Sequence, residues 1–357
     1  MLQNFLSLFL QVAVFSSVLT YGLTKLARKL KWLDKDPHGI QEGTYAPVVT
    51  HGGLAIFLSF WLGAFLFIPQ LAFIATYRWL FVASLMILVL GIVDDRLELS
   101  PLVKSLFIFL AANIVYFYAG IEFSSRLLPE GMPHIFSMLP YWATMAWIYF
   151  VTNAINIIDG TDGLAGSVSL ISLSTLALTT YLFSRSLQIT LLTLLLILVA
   201  AILGFLPFNW PPAKIYLGDT GALFIGFMYA TLSVNSLKNA SLYSLIVPVI
   251  IYMFPLFDIT YAMFRRLIKR QPIGKGDREH LHHRLLGFGF SKKQVVWSVI
   301  AVTSLFSVIA ICSHVWPSLR WFWLGLTGSI IFLLMWVMRR LAKISQMKRQ
   351  AKQKNKQ

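Results

Sequence analysis

Long apolar stretches recur along almost the whole chain, and they constrain its fold more than any other feature of the sequence. A helix needs about 20 predominantly apolar residues to cross the hydrocarbon layer of a bilayer. Only 12% of the residues are charged, whereas soluble domains have about 25%. The sequence therefore predicts an all-α, polytopic transmembrane helical bundle with about 11 membrane-spanning helices. The predicted spans are residues 3–24, 52–71, 78–93, 101–120, 137–155, 163–183, 187–206, 218–236, 241–264, 293–312 and 317–338.

The expected domain organisation is simple, because the chain shows no internal repeat. The first stretch has no basic segment before it and no small-residue cleavage site after it, so we expect a permanent helix rather than a cleaved signal peptide. Residues 1–338 should form one transmembrane domain, with its longest polar loop at residues 265–292, and residues 339–357 a basic tail. Cys312 is the single cysteine, which excludes an internal disulfide and leaves it a packing role.

Basic residues are distributed unevenly between the two sides of the predicted membrane domain. If the connections alternate between sides, 25 of the 30 Lys and Arg residues fall on the side of the first connection and the tail. Loops rich in Lys and Arg remain in the cytoplasm, so we expect the amino terminus outside and the carboxyl terminus inside. The basic tail should then lie on anionic lipid headgroups. The net charge of +16 is therefore better explained by the membrane than by nucleic acid.

Acidic residues collect on the same predicted side. Of the 14 Asp and Glu residues, only Glu122 and Glu130 fall on the outer side. Six aspartates lie at or near cytoplasmic ends of predicted helices, although more than 160 residues separate the first from the last. A fixed topology can bring them to one membrane face, so we expect them to contribute to a single site. They are Asp94, Asp95, Asp159, Asp162, Asp219 and Asp258.

Asp94 and Asp95 end one predicted helix in the segment GIVDDRLELSPLVKS. Neighbouring carboxylates repel one another unless water, a cation or a basic group compensates. Ser100 and Pro101 fit the N-cap and first turn of the next helix. A solvated turn explains Leu-Ser-Pro well and a pair of acids beside the membrane less well, which favours a functional role for the pair.

Two further acidic motifs follow. In NAINIIDGTDGLAGS, a helical turn would present Asp159 and Asp162 on one face, and the alternative is a polar turn with a helix beginning at Asp162. Gly160 and Gly163 allow a broken backbone there, and ionisable groups beside hydrocarbon are functional by default. Asp219 in KIYLGDTGALFIG is a weak signal alone, because Asp-Thr-Gly also forms ordinary turns. The signal is strengthened because Asp219 is predicted to lie on the same membrane face as the other aspartates.

The long polar loop contains the segment RRLIKRQPIGKGDREHLHHRLLG, residues 265–287. Two of its histidines are three residues apart, but the loop has no cysteine and no HExxH motif, so zinc is the weaker interpretation. Anion recognition fits better, because guanidinium and imidazole groups donate to phosphate oxygens. The candidates are Arg265, Arg266, Arg278, Arg284, His280, His282 and His283.

Carboxylates and cations on one membrane face predict phosphoryl transfer. Carboxylates suit an anionic substrate only when a divalent cation lies between them, and Mg²⁺ held by one or two aspartates plus substrate phosphates is the usual arrangement. We therefore expect Mg²⁺ as the cofactor, with Mn²⁺ as a substitute. One substrate should be a soluble nucleotide diphosphate and the other a lipid, since a lipid acceptor explains a site built among so many helices.

Four motifs, in this order, resemble those of the polyprenyl-phosphate N-acetylhexosamine-1-phosphate transferases: GIVDDRLELSP, NAINIIDGTDGLAGS, KIYLGDTGALFIG and DREHLHHRLL. The resemblance covers about residues 20–300. It looks like the WecA type of these bacterial enzymes, which start O-antigen, common-antigen or teichoic-acid linkage units in the cytoplasmic (inner) membrane. It implies transfer of N-acetylhexosamine 1-phosphate from a UDP-sugar, UDP-GlcNAc above others, to undecaprenyl phosphate with release of UMP. A homodimer is compatible with such a fold, but the sequence shows no clear packing seam.

Carried over by position, the resemblance implies roles for individual residues. Asp219 would bind Mg²⁺, with Asp94 and Asp95 at the lipid phosphate and the metal. Asp94 is either a base or a positioning group, because a phosphate monoester with a second pKa of about 6 is already largely dianionic at neutral pH. The residues implied at the nucleotide and diphosphate are Asn156, Asp159, Gly160 and Asp162, and those at the uracil are Asn209 and Tyr216. The residues implied at the sugar and its phosphates are Arg265, His280, His282 and His283, with Arg284 as a further phosphate ligand.

One segment departs from the family pattern. Relatives carry a basic, histidine-containing stretch in the first loop. The corresponding segment of this chain, DPHGIQEGTYAPVVTHGG, has no Arg or Lys. His38 or His51 could supply the phosphate contact of this loop instead. The loop DREHLHHRLL favours a small UDP-HexNAc over UDP-MurNAc-pentapeptide, but the sequence does not choose between amino sugars.

Two other classes of membrane protein are alternatives. A transporter would place its acids near the bilayer midplane, and only Asp258 in PLFDITYAMF could lie that deep; a loop-anchoring carboxylate near Arg265 explains it equally well. A CDP-alcohol phosphotransferase would show a denser Asp array on one helix, which is not found.

Overall fold

The computed structural model describes residues 2–32, 48–124, 138–183, 188–236, 246–268, 270 and 280–354. Within these ranges the chain is helical apart from its connecting turns and one isolated parallel bridge between Val49 and Ile215. This confirms the all-α class. The described α-helices are α1 (Leu2–Lys29), α2 (Gly53–Phe67), α3 (Ala75–Leu97), α4 (Pro101–Phe117), α5 (Leu139–Ile158), α6 (Leu164–Phe183), α7 (Ile189–Asn209), α8 (Gly218–Ser236), α9 (Ile246–Ile251), α10 (Met253–Ile268), α11 (Leu281–Phe288), α12 (Lys292–Val315) and α13 (Arg320–Lys354).

Each of the eleven predicted spans contains a helix, and the ninth is divided into α9 and α10 at Tyr252. Six of the described helices are long and apolar enough to cross a membrane, namely α1, α3, α6, α7, α12 and α13. Helices α2 and α4 are apolar but shorter. The protein is therefore a multi-pass membrane protein, while the count of eleven spans and their orientation stay predictions.

The acidic motifs lie at helix ends, and the DGTDG motif lies in the turn between two helices. Ser100 accepts a hydrogen bond from the N–H of Val103 at 3.5 Å and precedes Pro101, the first residue of α4, which confirms the predicted cap. Helix α5 ends at Ile158 and α6 begins at Leu164, with Gly163 between them in a left-handed conformation at φ 73°. The predicted helical turn that shares Asp159 and Asp162 on one face is therefore wrong, because α5 has already ended at Ile158. The alternative of a polar turn is confirmed, with α6 beginning two residues after Asp162.

Helix α8 lies at the centre of the bundle, and every residue from Thr220 to Asn235 is buried. It packs mainly against α3 and α5 and also contacts α2. Close packing around its first turn requires glycine, because a Cβ at Gly91 would lie 2.5 Å from Thr220 Cα and a Cβ at Gly53 2.1 Å from Gly221 N. Small residues let membrane helices approach closely. The start of α8 is thus held between the end of α3 and the start of α2.

Helix α13 continues without a break from the last predicted span into the basic tail, so residue 338 marks a change of composition within one helix. It packs against α11, which carries the HHR motif. Two predicted anion-binding candidates, His38 and Arg278, lie outside the described residues.

Candidate active site

The end of α3 and the starts of α4 and α8 bring two carboxylates to one lysine. Asp94 is buried, and its Oδ1 accepts a hydrogen bond from the N–H of Leu99 at 2.8 Å. Its Oδ2 forms an ion pair with Lys104, whose Nζ lies 3.0 Å from Oδ2 of Asp219. A buried carboxylate is stable only when a cation or hydrogen bonds compensate its lost hydration, and Lys104 supplies that charge to both acids.

Asn156, near the end of α5, completes this cluster. Its Nδ2 donates to Oδ1 of Asp219 at 2.6 Å, so both carboxylate oxygens of Asp219 have a partner from a different helix. We call Asp94, Lys104, Asn156 and Asp219 the carboxylate–lysine cluster. It lies at helix ends rather than in the middle of a span, as expected from the sequence.

The donor set of this cluster fits Mg²⁺. Carboxylate and amide oxygens are hard ligands, and Mg²⁺ usually binds through one or two carboxylates while keeping water and substrate phosphates as its other ligands. Among the residues that the structure describes, no group of three or more His, Cys, Asp or Glu could hold a metal ion by itself. A cation at Asp219 would therefore need oxygens from a substrate, and the histidine loop does not form a zinc site within the described part of the chain.

Asp95 faces the backbone of α8 instead of the lysine. Its Oδ1 accepts the N–H of Asp219 at 2.7 Å, and its Oδ2 accepts the hydroxyl of Thr220 at 2.6 Å and the N–H of Thr220 at 3.2 Å. His51 Nδ1 lies 3.0 Å from the same Oδ2. Adjacent acids in the sequence thus have different surroundings, because side chains at neighbouring helix positions point in different directions.

Asp159 lies in the turn after α5 and outside the helices. Burial raises the pKa of its carboxyl well above the usual value, and the negative charges of Asp219, Asp95 and Asp162 raise it further. Three other predicted aspartates therefore act electrostatically on Asp159. Within the described ranges, Asp159 makes no hydrogen bond or ion pair through its side chain.

Gly160 brings this turn against the histidine helix α11. A Cβ at position 160 would lie 2.1 Å from Nε2 of His282, so only glycine fits beside the imidazole. The His282 ring is buried, lies parallel to the ring of His280 at 6.0 Å and contacts that of His283 at 4.2 Å. The DGTDG turn therefore packs against α11 through Gly160 and His282.

Asp162 ties three segments together. Its Oδ1 lies 3.0 Å from Nζ of Lys292 at the start of α12, and its Oδ2 accepts the N–H of Ala213 at 3.2 Å. Asn209 links the same turns, since it accepts the N–H of Gly163 and donates to the carbonyl of Ile215, both at 2.9 Å.

Asp258 anchors the start of the histidine helix. Its Oδ2 lies 3.0 Å from Nδ1 of His280, and its Oδ1 accepts the N–H of Leu281 at 3.1 Å. The loop-anchoring interpretation is confirmed, and the side-chain partner is His280. Carboxylates at a helix N-terminus are stabilising because they satisfy free N–H groups there.

Three other predicted site residues contact the scaffold. Arg284 Nη1 donates to the carbonyl of Met338 in α13 at 2.7 Å, and the Arg265 guanidinium lies 5.8 Å from the ring centre of Tyr261. Tyr216 pairs through its backbone with residues Val49 and Gly52. These contacts attach the three residues to the scaffold around the site.

Two lysines of the site were not predicted. Lys104 lies one helical turn after the cap Ser100, and this spacing, which directs it back to the end of α3, is a signal that the sequence offers. Lys292 follows Ser291, which forms a capping box with Gln294. The Ser-Lys-Lys-Gln pattern marks a helix start, but nothing in it indicates Asp162 as the partner.

Comparison with known proteins identifies the family of this chain. The sequence profile described as glycosyl transferase family 4 matches residues 77–237, which include α3 to α8 and five of the six aspartates. A Bacillus subtilis (strain 168) protein, named a probable undecaprenyl-phosphate N-acetylglucosaminyl 1-phosphate transferase, is 39% identical over 271 residues, covering 74% of this chain and 72% of the relative.

More distant relatives extend the likeness. The decaprenyl-phosphate N-acetylglucosaminephosphotransferase of Mycobacterium tuberculosis (strain ATCC 25618 / H37Rv) is 31% identical over 280 residues, 70% of this chain and 68% of the relative. The undecaprenyl-phosphate alpha-N-acetylglucosaminyl 1-phosphate transferase of Salmonella typhi is 26% identical over 362 aligned residues, 98% of this chain and 95% of the relative. The chain therefore belongs to glycosyl transferase family 4.

Proposed function

We propose that the protein transfers N-acetylglucosamine 1-phosphate from UDP-GlcNAc to undecaprenyl phosphate and releases UMP. The observation that carries this proposal is the carboxylate–lysine cluster, in which four helices place two carboxylates, one amide N–H donor and one ammonium group within contact distance. Such a cluster can bind a cation and phosphate oxygens together. The Bacillus subtilis and Salmonella typhi relatives are named for this transfer, which supports the choice of both substrates.

Mg²⁺ is the proposed cofactor, and its ligands would be Asp219 with Asp94 and Asn156 nearby. When bound, the ion would neutralise the diphosphate and stabilise the charge that develops on the leaving phosphate. Mn²⁺ takes the same oxygen ligands and should substitute.

The proposed reaction is a displacement at phosphorus. An oxygen of the lipid phosphate attacks the β-phosphorus of UDP-GlcNAc and forms a new P–O bond, while the bond from the β-phosphorus to the bridging oxygen breaks and its electron pair leaves with UMP. Phosphoryl transfer needs mainly positioning and charge stabilisation. Lys104 is placed to neutralise phosphate oxygens, since its Nζ lies between Asp94 and Asp219.

Asp94 then has a positioning role in preference to that of a base. Its Oδ2 is already paired with Lys104 and its Oδ1 with the backbone of Leu99. The nucleophile has no need of a base, because a phosphate monoester with a second pKa of about 6 is largely dianionic at neutral pH.

The turn at Asp159 and the histidine helix would bind the UDP-sugar. Asp159 and Gly160 lie beside the cluster, and His282 packs directly on Gly160. Imidazole N–H groups donate to phosphate and hydroxyl oxygens, so this surface suits the sugar and its phosphate.

The proposed setting is the bacterial inner membrane, with the site on the cytoplasmic side and eleven spans. Lipid-linked GlcNAc would then initiate a cell-surface glycan.

The test is release of uridine-labelled UMP from UDP-GlcNAc by the purified protein in lipid nanodiscs. Release should require both undecaprenyl phosphate and Mg²⁺, and it should fall by about 10²-fold or more in Asp219→Asn, the typical loss when a charge-stabilising group is removed. Glu98→Gln is the matched control, because Glu98 is exposed one turn beyond Asp94. A parallel assay with UDP-GalNAc identifies the amino sugar. Absence of UMP release with every UDP-HexNAc would contradict the proposal and would favour a membrane transporter instead.

A further inference from the structure

We propose that His51 is a positioning residue of the transferase site, which acts through Asp95 on the first turn of α8 and thereby on Asp219. This inference rests on the proposed function, because it assumes that Asp219 binds the catalytic cation. It assigns a role to the segment of the first loop where the sequence departs from the family pattern.

The carboxylate of Asp95 is occupied by the chain itself. It accepts two backbone N–H groups and one hydroxyl from Asp219 and Thr220, at 2.6–3.2 Å, and faces Nδ1 of His51 at 3.0 Å. A carboxylate has about four lone-pair sites, so these contacts use its capacity. Asp95 then acts as a helix cap supplied from another helix, and we replace its expected role as a direct metal ligand with one in orienting Asp219.

His51 is held in an unusual backbone conformation that directs its ring at Asp95. Its φ is 69°, in the left-handed region, and its side chain is buried. Such conformations in residues other than glycine persist only where the surroundings impose them, and they cluster at functional sites. The ring also packs edge-on against Trp32, with 5.6 Å between ring centres.

Neighbouring backbone hydrogen bonds impose this conformation. Gly52 N–H donates to the carbonyl of Tyr216 at 2.9 Å, and Gly53 N–H donates to that of Leu217 at 3.0 Å. Tyr216 N–H donates to the carbonyl of Val49 at 2.8 Å. The segment that leads into α8 is therefore attached to the His51 segment by its backbone and, through Asp95, by a side chain.

Three substitutions separate the ring from the backbone. His51→Gly removes the imidazole and accommodates the left-handed conformation without strain. His51→Asn also tolerates this conformation and keeps a side-chain N–H donor, while His51→Ala combines loss of the ring with backbone strain. His314→Asn is the matched control, since His314 lies at the far end of α12 against Phe183.

Mn²⁺ binding to the purified protein with UDP-GlcNAc but without lipid gives a readout independent of turnover, measured by electron paramagnetic resonance. Loss of a residue that orients a metal ligand typically lowers metal affinity 10- to 100-fold. We expect His51→Gly to raise the Mn²⁺ Kd by about 10-fold and to lower kcat of UMP release similarly. The KM for undecaprenyl phosphate should not change. His51→Asn should lie between His51→Gly and the wild type, and His314→Asn should match the wild type.

The outcomes separate this inference from the proposed function. A wild-type protein that neither binds Mn²⁺ nor releases UMP overturns both. An active wild type with the same Mn²⁺ Kd in His51→Gly overturns the assignment of His51 alone, even if His51→Gly unfolds at a lower temperature.

Discussion

Replacing Gly160 by alanine should inactivate the site while the protein stays folded. The added Cβ would lie 2.1 Å from Nε2 and 2.9 Å from Cε1 of His282. Because ordinary contacts begin at 3.4 Å, the imidazole or the turn must move by about 1.3 Å. The ring is only 2% exposed and packs between two other histidine rings, so it has no open space to enter.

The magnitude follows from that displacement. A misplacement of about 1 Å in an active site can lower the rate by about 10²-fold, whereas overpacking a buried contact costs about 1–3 kcal/mol of folding free energy. We therefore expect kcat for UMP release to fall by about 100-fold. The thermal unfolding transition should remain cooperative and shift only modestly.

The assay is UMP release together with thermal unfolding in the same nanodiscs. Gly287→Ala in α11 is the control, because a Cβ there meets nothing within 4 Å. The double variant Gly160→Ala/His282→Ala should be no less active than His282→Ala alone, since the smaller side chain removes the clash. Wild-type activity in Gly160→Ala, or a double variant much worse than His282→Ala, would refute the proposed contact.

Three further substitutions test the charges of the site. Lys104→Met leaves two carboxylates without their shared cation. We therefore expect the unfolding free energy to fall by about 3 kcal/mol or more and the rate of UMP release to fall by at least about 10²-fold. Unchanged stability in urea or thermal unfolding would contradict this expectation. Asp94→Asn should lower UMP release by the same factor at pH 6 and pH 9, because positioning does not depend on proton removal, whereas recovery at pH 9 would support a base. Lys292→Ala removes an ion pair whose lysine side chain is 42% exposed, so stability should change by about 1 kcal/mol or less. The KM for UDP-GlcNAc should rise in this variant with kcat retained, and a loss of kcat alone would count against its placement.

The sequence predicted the helices and the collection of acids at their ends, because both depend on local patterns. Apolar length locates a membrane helix, and Ser100 with Pro101 marked the beginning of α4 correctly. Since short connections fix the direction of successive helices, the ends carrying Asp94 and Asp219 could be expected to meet, and the structure joins them through Lys104.

The different contacts that these aspartates make could not be predicted from the sequence. Asp94 and Asp95 are neighbours of the same type, yet one pairs with a lysine and the other caps α8, because the choice depends on which helix packs beside each. The pairing of Lys292 with Asp162 joins residues 130 positions apart. The turn before α6 was misjudged for a local reason, since glycine tolerates both helical and left-handed backbone and only tertiary packing decides between them.

The bond between Arg284 and the carbonyl of Met338 makes the histidine helix sensitive to the bilayer itself. The apolar span Pro317–Arg340, which includes the first part of α13, is exposed along most of its length. Such a helix adapts to a thicker or thinner hydrocarbon layer by changing its tilt. Met338 lies near the end of that span, so a change in tilt displaces the carbonyl to which α11 is attached. We therefore expect a change in bilayer thickness to shift the three histidines through α13, which contributes no residue to the carboxylate–lysine cluster.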